Sequence, residues 1–257
     1  MHTDALVVRS HSYAESSAVV VLLTAARGTL RALAKGAKRA KNSFRGPLDR
    51  GVLYRVRLGR AHTEGLSVLY SASVRESFPR LRVDPARFHA ATLILEVASD
   101  LLRENEPHEE LFRLCVFSLK VLDKAPDESI SLSVTFFLAR AVTLSGHTPE
   151  LSSCLECGLP LLESDRPLLS PLRGGVLHAG CAQGEPGART ADPDVLALLR
   201  ELWSKPAGEA LELFPPAAIV RGLRRLLVEW LQEVLERRFL AARPLEREIS
   251  SPAPPRG

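Results

Sequence analysis

Four residues in the second half of the chain have the types and the spacing of a metal site. Cys154 and Cys157 are separated by two residues, and after twenty intervening residues His178 and Cys181 repeat that separation. Thiolate and imidazole are ligands that suit Zn²⁺, and two such pairs folded together form a tetrahedral site. Because four protein ligands leave no position for a reactive water, the pattern predicts one structural zinc ion per chain.

Two other interpretations of these residues stay open. In the first, the site holds no metal, His178 is a surface residue and the cysteines are simply reduced. In the second, the Cys-x-x-Cys pair is a redox centre, although such chemistry usually has a βαβ context that this segment lacks. The remaining cysteine, Cys115, lies in the apolar run 111–117 and is predicted to be a core residue.

The beginning of the chain is strongly basic. Residues 1–80 contain 14 Lys and Arg against 5 Asp and Glu, a net charge of +9, whereas residues 81–257 carry −5. No acidic residue lies between Glu15 and Asp49. The candidate DNA-binding residues are Arg27, Arg31, Lys35, Lys38, Arg39, Lys41, Arg45, Arg55 and Arg57. Such a set predicts nucleic-acid binding through counterion release, which is independent of base sequence and sensitive to salt.

This basic segment has two alternative interpretations. It could be a solvated loop with no partner, or it could bind a membrane surface. The membrane is disfavoured because no amphipathic helix or lipidation motif accompanies the charges. Aromatic residues in and near the acid-free interval are few (Tyr13, Phe44 and Tyr54), so base stacking is expected to be limited.

The sequence contains no recognisable catalytic motif. It lacks a phosphate-binding P-loop, a dinucleotide-binding fingerprint after a strand and a Gly-x-Ser-x-Gly elbow. The histidines other than His178 are scattered, so a non-enzymatic protein is predicted. No apolar run approaches the roughly 18 residues of a membrane span, and the first residues do not resemble a secretory signal. A cytoplasmic, nucleoid-associated location is therefore expected.

The basic residues lie on and between predicted strands. These strands cover residues 4–10, 18–24, 29–35, 52–58 and 66–74. Short strands separated by glycine-bearing turns predict a small closed or partly open barrel. Alternation from Leu53 onward places Arg55 and Arg57 on the same face of their strand.

From Asp84 the apolar spacing becomes helical. Asp84 is the expected N-cap, with Pro85 at the first helical position. Helices are predicted over residues 85–103, 107–124, 127–144, 192–203 and 215–238. Residues 147–191 are loop-like and contain the metal-like residues, and residues 250–257 are predicted to be disordered.

Several segments, in order along the chain, resemble the RecO family of bacterial recombination mediators. They are residues 5–16, 28–39, 76–79 and 106–112, the Cys-x-x-Cys pair and residues 237–240. The resemblance implies an α+β multidomain protein. An N-terminal OB-fold β-barrel over residues 1–80 is followed by an α-helical domain over residues 81–257, with a zinc finger inserted at about 150–185.

The resemblance also implies a function. Such proteins bind single- and double-stranded DNA, anneal complementary strands and work with RecR to load RecA on DNA coated by single-strand-binding protein, whose acidic C-terminal tail docks on the helical domain. Carried over by position, the residues that would face DNA are Arg31, Lys35, Lys38, Arg39, Lys41 and Arg45. Cys154, Cys157 and Cys181 match the zinc positions of the family, whereas His178 replaces a cysteine. Some members lack the metal ligands altogether, so the activity does not require zinc.

Two rival functions stay open, a zinc-dependent nucleic-acid enzyme and an RNA-binding OB-fold protein. The last long helix is a secondary candidate for binding DNA or an acidic tail. Its arginines are Arg221, Arg224, Arg225, Arg237 and Arg238. The favoured interpretation of this helix is an amphipathic one whose solvated face pairs arginines with Glu229, Glu233 and Glu236.

Overall fold

The computed structural model of the protein describes residues 1–13, 15–37, 39, 43–44, 47–61, 65–104, 106–162 and 166–250. The chain divides into two compact units, one formed by residues 1–125 with the end of the chain from Ala241, the other by residues 126–240. Lys38, Lys41 and Arg45 lie outside the described residues, as does the predicted disordered tail beyond residue 250. Among the described helices, none combines the length and the apolar character that crossing a membrane requires.

The first unit contains a closed β-barrel. Its strands are β1 (His2–Tyr13), β2 (Ser17–Thr24), β3 (Gly28–Ala34), β4 (Leu53–Ala61) and β5 (Leu66–Glu76). The order around the barrel is β1-β2-β3-β5-β4, and β1 closes it by pairing with β4. All neighbours are antiparallel except β3 and β5, which run parallel. This five-stranded arrangement is of the OB type and confirms the predicted N-terminal barrel.

Strand β3 shows how one segment supplies both core and surface. Leu30, Ala32 and Ala34 are buried inside the barrel, whereas Arg31 between them is exposed. Side chains of a strand alternate between its two faces, so an apolar set on one face leaves the other face free for charge. The small Ala32 and Ala34 leave room for larger interior residues such as Leu22 and Tyr54, which are also buried.

The helices follow the barrel. They are α1 (Arg80–Val83), α2 (Pro85–Leu101), α3 (Glu109–Lys124), α4 (Ile130–Leu144), α5 (Pro193–Ser204), α6 (Ala207–Leu211), α7 (Ala217–Val234) and α8 (Ala242–Ser250). A 3₁₀ turn, Asp127–Ser129, precedes α4. The predicted long helices are confirmed with shifts at their ends, whereas the short α1, α6 and α8 were not predicted.

Helix α2 begins as its sequence predicts. The Asp84 side chain accepts a hydrogen bond of 2.9 Å from the backbone N–H of Arg87, and Pro85 occupies the first turn. The fully buried Arg87 guanidinium has its Nε 3.4 Å from Asp84 Oδ2 and donates a hydrogen bond to the carbonyl oxygen of Leu122 in α3. Arg87 therefore links α2 to α3 inside the first unit.

The end of the chain returns to the first unit. The backbone N–H of Ala241 donates a 3.1 Å hydrogen bond to Oε2 of Glu96 in α2. Leu245 in α8 is fully buried, and α8 packs against α2. The sequence does not predict α8, because this helix has only nine residues and most of them are polar like the tail that follows.

The second unit combines packed helices with a small sheet. Helix α4 contacts α5 and α7, and its Phe137 is fully buried. The sheet contains β6 (Leu168–Ser170), β7 (Gly175–Leu177) and β8 (Arg189–Thr190), in the order β7-β6-β8. The loop-like prediction for residues 147–191 is wrong for these three segments, because strands of two or three residues are too short to show alternation.

Candidate nucleic-acid interface and metal centre

The structure brings all four predicted metal ligands together. The ligand atoms of Cys154, Cys157, His178 and Cys181 lie within 4.8 Å of one another. The atoms bound to one zinc ion at about 2.3 Å lie about 3.8 Å apart in a tetrahedron, so this cluster has the dimensions of a metal site. The three cysteines converge without forming a disulfide. The cluster can therefore hold one metal ion.

Backbone hydrogen bonds place the first pair of ligands beside the second. Residues 152–161 fold back on themselves, with the N–H of Cys154 bonded to the carbonyl of Leu159 at 2.9 Å. The N–H of Leu155 then donates to the carbonyl of Val176 in β7, also at 2.9 Å. His178 comes directly after β7, so this hydrogen bond places Cys154 beside the histidine.

Gly175 has no side chain, which lets β7 lie close to the segment that contains Glu150 and Leu155. Its backbone pairs with Glu150, just before the first ligand pair. A Cβ at position 175 would lie 2.7 Å from the Glu150 carbonyl oxygen and 3.0 Å from Leu155 Cδ1. Two heavy atoms cannot approach so closely, which explains why a glycine precedes the histidine pair in the sequence.

The thiols of the cluster differ in acidity. Burial opposes ionisation of the Cys154 thiol, yet backbone hydrogen bonds from Cys157, His178 and Glu156 lower its pKa to about 6. The N–H of His178 lies 3.4 Å from the Cys154 sulfur. Burial, together with hydrogen bonds to the other two sulfurs, raises the pKa of Cys181 to about 11. One ligand is thus charged at neutral pH, and a bound cation must displace the proton of another.

The cluster has one buried side and one solvent-exposed side. Cys154 is buried with Leu177 and Ala182, and Leu155, Leu168 and Cys181 pack against them. Cys157 is exposed, and its sulfur lies 3.3 Å from Nδ1 of His178. With four ligand atoms converging and one sulfur buried, the arrangement suits a structural ion better than a catalytic one, which keeps an open position.

The described DNA-binding candidates lie mainly on one side of the barrel. Arg31 projects from the outer face of β3, and Lys35 and Arg39 follow that strand. All three are exposed, and the backbone N–H of Arg39 donates to the carbonyl of Gly36 at 3.0 Å. Among the described residues, no carboxylate lies within 4 Å of the charged groups of Arg31 or Lys35.

Arg55 and Arg57 share the outer face of β4, as predicted, but their partners differ. The Nε atom of Arg55 lies 2.8 Å from Oδ1 of Asp4 on β1, so its charge is partly neutralised. The guanidinium carbon of Arg57 instead lies 5.2 Å from the centre of the Tyr70 ring on β5. Strand β5 lies between β3 and β4 in the barrel, so Arg57 lies two strands from Arg31 on the outer surface.

These positions define what we term the basic face, formed by Arg31, Lys35, Arg39, Arg57 and Tyr70. The sequence does not single out Tyr70, because only the register of β5 with β4 places it beside Arg57. Of the candidates outside this face, Arg27 is half-buried in the turn between β2 and β3, at the opposite end of β3 from Lys35. Eight residues of extended chain span about 26 Å, so Arg27 and Lys35 are far apart.

The arginines of α7 are largely engaged within the second unit. Arg224 is 1% exposed and donates a hydrogen bond to the Ser131 hydroxyl. Nε of Arg225 lies 3.1 Å from Glu229, four residues later, which also pairs with Arg189. The favoured prediction of an amphipathic helix with paired charges is confirmed for Arg225, whereas Arg224 is a core residue and not part of a solvated face.

Known proteins resemble this chain over nearly its whole length. The family profile described as Recombination protein O N terminal matches residues 1–78, and the profile described as Recombination protein O C terminal matches residues 82–244. A DNA repair protein RecO of Anaeromyxobacter sp. (strain K) is 36% identical over 248 residues, which are 94% of both chains.

Two proteins of lower identity have the same name. The one from Rhodopirellula baltica is 32% identical over 216 residues, which are 84% of this chain and 77% of that protein. The one from Nocardioides sp. is 31% identical over 252 residues, covering 95% and 98%. The chain therefore belongs to the RecO family, whose members are DNA repair mediators and not enzymes.

Proposed function

We propose that the protein is a DNA-binding recombination mediator. It binds single- and double-stranded DNA, anneals complementary strands and, with RecR, helps to load RecA on DNA coated by single-strand-binding protein. The observation that carries this proposal is the basic face of the barrel, in a chain that belongs to a DNA repair family. The DNA contacts would lie within residues 1–80 and the protein contacts within residues 81–257.

The chemistry of the basic face supports strand annealing. Exposed guanidinium and ammonium groups replace the counterions of phosphates, and this exchange does not depend on base sequence. Two complementary strands repel each other until their charges are neutralised. A surface with several cations lowers that repulsion and lets the bases, which remain available, select the partner strand.

We propose Zn²⁺ as the ion held by Cys154, Cys157, His178 and Cys181. Zinc would supply a redox-inert crosslink that holds the segment around residue 155 against β7. The protein residues themselves prepare this crosslink, because the Leu155–Val176 hydrogen bond and the absent side chain of Gly175 already bring the two ligand pairs together. The role is structural, and DNA contacts do not pass through the ion.

Residues 81–257 are proposed to bind protein partners. Residues 81–257 carry a net charge of −5, so this part of the chain is less suited than the barrel to a polyanion. RecR and the C-terminal tail of single-strand-binding protein are the proposed partners, with RecA acting indirectly. A cytoplasmic, nucleoid-associated location follows from a function in DNA repair.

An annealing assay tests the proposed function. Two complementary fluorescent oligonucleotides, each coated with single-strand-binding protein, are mixed with the full chain and the appearance of duplex is followed. We expect faster annealing, slowed when Lys35 and Arg39 become alanine and unchanged for Arg113→Ala, whose exposed charge already pairs with Glu109 at 2.6 Å. Absence of annealing by the unmodified protein contradicts the proposal.

The same samples separate the rival functions. Metal-dependent shortening of the labelled strands would favour a nucleic-acid enzyme, and intact strands are expected. Stronger competition by RNA than by DNA of matched sequence would favour an RNA-binding protein. A pull-down with RecR, and with single-strand-binding protein with and without its acidic tail, tests the partners. We expect single-strand-binding protein to be captured when its tail is present and not when the tail is removed.

A further inference from the structure

An exposed aromatic ring lies on the basic face, on the strand between β3 and β4. Tyr70 is 49% exposed. It follows Leu69, which pairs with Ala34 at the end of β3, and Lys35 is the first residue after that strand. On its other side, Arg57 of β4 pairs with Ser71. Strand β5 lies between β3 and β4, so the end of β3 before Lys35 and the segment of β4 with Arg57 flank the strand that carries Tyr70.

The ring of Tyr70 is held in place by β4. The Arg57 guanidinium carbon lies 5.2 Å from the ring centre, a distance at which a cation is attracted to an aromatic ring. Gly59, two residues further along the outer face of β4, lies against the ring. A Cβ at that position would be 3.0 Å from Cε2 and 3.2 Å from Cζ of Tyr70. Glycine thus lets the ring lie close to the strand.

The other aromatic residues of the barrel cannot take this role or lie elsewhere. Phe44 and Tyr54 are buried in the barrel core, where Tyr54 donates a hydrogen bond to the carbonyl of Pro47. Tyr13 is 56% exposed but ends β1, where it pairs with Ser17. Tyr70 is therefore the aromatic residue of the described barrel that combines exposure with a cation against its ring.

We propose that Tyr70 is a base-stacking site for single-stranded DNA. This inference rests on the proposed DNA-binding function and adds a means of telling single strands from duplex. Every base has an aromatic face that can stack on a tyrosine ring, and Lys35 and Arg57 are placed for the phosphates on either side of that base. In a duplex the bases are already stacked and paired, so only the phosphates remain available to this face.

Binding of matched single-stranded and duplex DNA by the full chain tests the site. Stacking on one base predicts that Tyr70→Ala weakens single-strand affinity about 5- to 150-fold. Duplex affinity is expected to stay within about twofold, because the cations are retained. Tyr70→Phe keeps the aromatic face and is expected to bind like the unmodified protein. Tyr13→Ala removes a ring of similar exposure, 56% against 49%, and is the matched control.

Photocrosslinking provides a second measurement that needs no variant. Single-stranded DNA containing 5-iodouracil is irradiated with the unmodified protein, and a crosslink mapped to Tyr70 is expected. Equal losses for single strands and duplex in Tyr70→Ala, or unchanged binding together with a crosslink elsewhere, overturn the stacking site while leaving the DNA-binding function intact. Failure of the unmodified protein to bind any DNA overturns the proposed function itself.

Discussion

The salt dependence of DNA binding is the sharpest test of the basic face. Arg31, Lys35 and Arg39 are exposed, and replacing all three with alanine removes three positive charges without opening the barrel core. Each phosphate contact on a single strand contributes about −0.7 to the slope of log affinity against log salt. If each cation contacts one phosphate, the slope should become less steep by about 2.

The same slope fixes the expected loss of affinity. With no other change in binding, three lost contacts weaken single-strand affinity about 50-fold at 0.15 M salt and about 500-fold at 0.05 M. Fluorescence anisotropy of a labelled oligonucleotide over a salt series measures both quantities.

A control with the same charge change separates local contact from net charge. Arg82, Arg113 and Lys120 lie in the first unit, and each pairs with a carboxylate, at 2.9, 2.6 and 2.7 Å. Replacing these three with alanine removes the same charge, and we expect a slope change of less than about 0.5. If the control alters the slope as much as the test variant, or if the test variant loses affinity with no change of slope, the basic face does not bind phosphates.

Three further results are expected. Zinc content near one per chain should be lost in Cys154→Ser and kept in Cys115→Ala, as measured by elemental analysis, and less than about half a zinc in the unmodified protein contradicts a structural site. In metal-free protein, the lowered pKa of Cys154 means that its thiolate stabilises the fold fully above its usual pKa of 9.0, and this contribution disappears as the pH falls through about 6. Denaturant titrations should therefore show a smaller difference in the free energy of unfolding between pH 5 and pH 8 in Cys154→Ser than in the unmodified protein. An equal difference in both proteins refutes this. Asp84→Ala should lower the free energy of unfolding by about 2–4 kcal/mol, because it removes both the cap of α2 and the carboxylate beside the buried Arg87. Asp192→Ala removes only the cap of α5 and should lower it by about 1 kcal/mol. Similar losses for the two variants would contradict the role given to Arg87.

Local patterns were enough to predict much of the fold. Alternation along β3 places Leu30 inside and Arg31 outside whatever the strand pairs with, because successive side chains point to opposite faces. The cap of α2 follows from Asp84 and Pro85 alone. The spacing of Cys154, Cys157, His178 and Cys181 likewise predicts their cluster, since two residues between ligands fit a single turn around an ion.

Contacts between distant segments could not be predicted in this way. Arg55 and Arg57 look equivalent in the sequence, yet Asp4 pairs with the first and Tyr70 contacts the second. Which of them keeps an available charge depends on the register of β4 with β1 and β5, and irregularities in the β4–β5 pairing shift that register.

The residue types and their spacing already specify the composition of both sites, namely which cations the barrel carries and which four side chains can bind a metal. The arrangement of the cations, in contrast, depends on how the strands pair. Tyr70 and Arg57 lie on the neighbouring strands β5 and β4, and Lys35 follows β3, the other neighbour of β5. Closure of a barrel requires a strand order and a register that are compatible around the whole sheet, and no local pattern of residues specifies them.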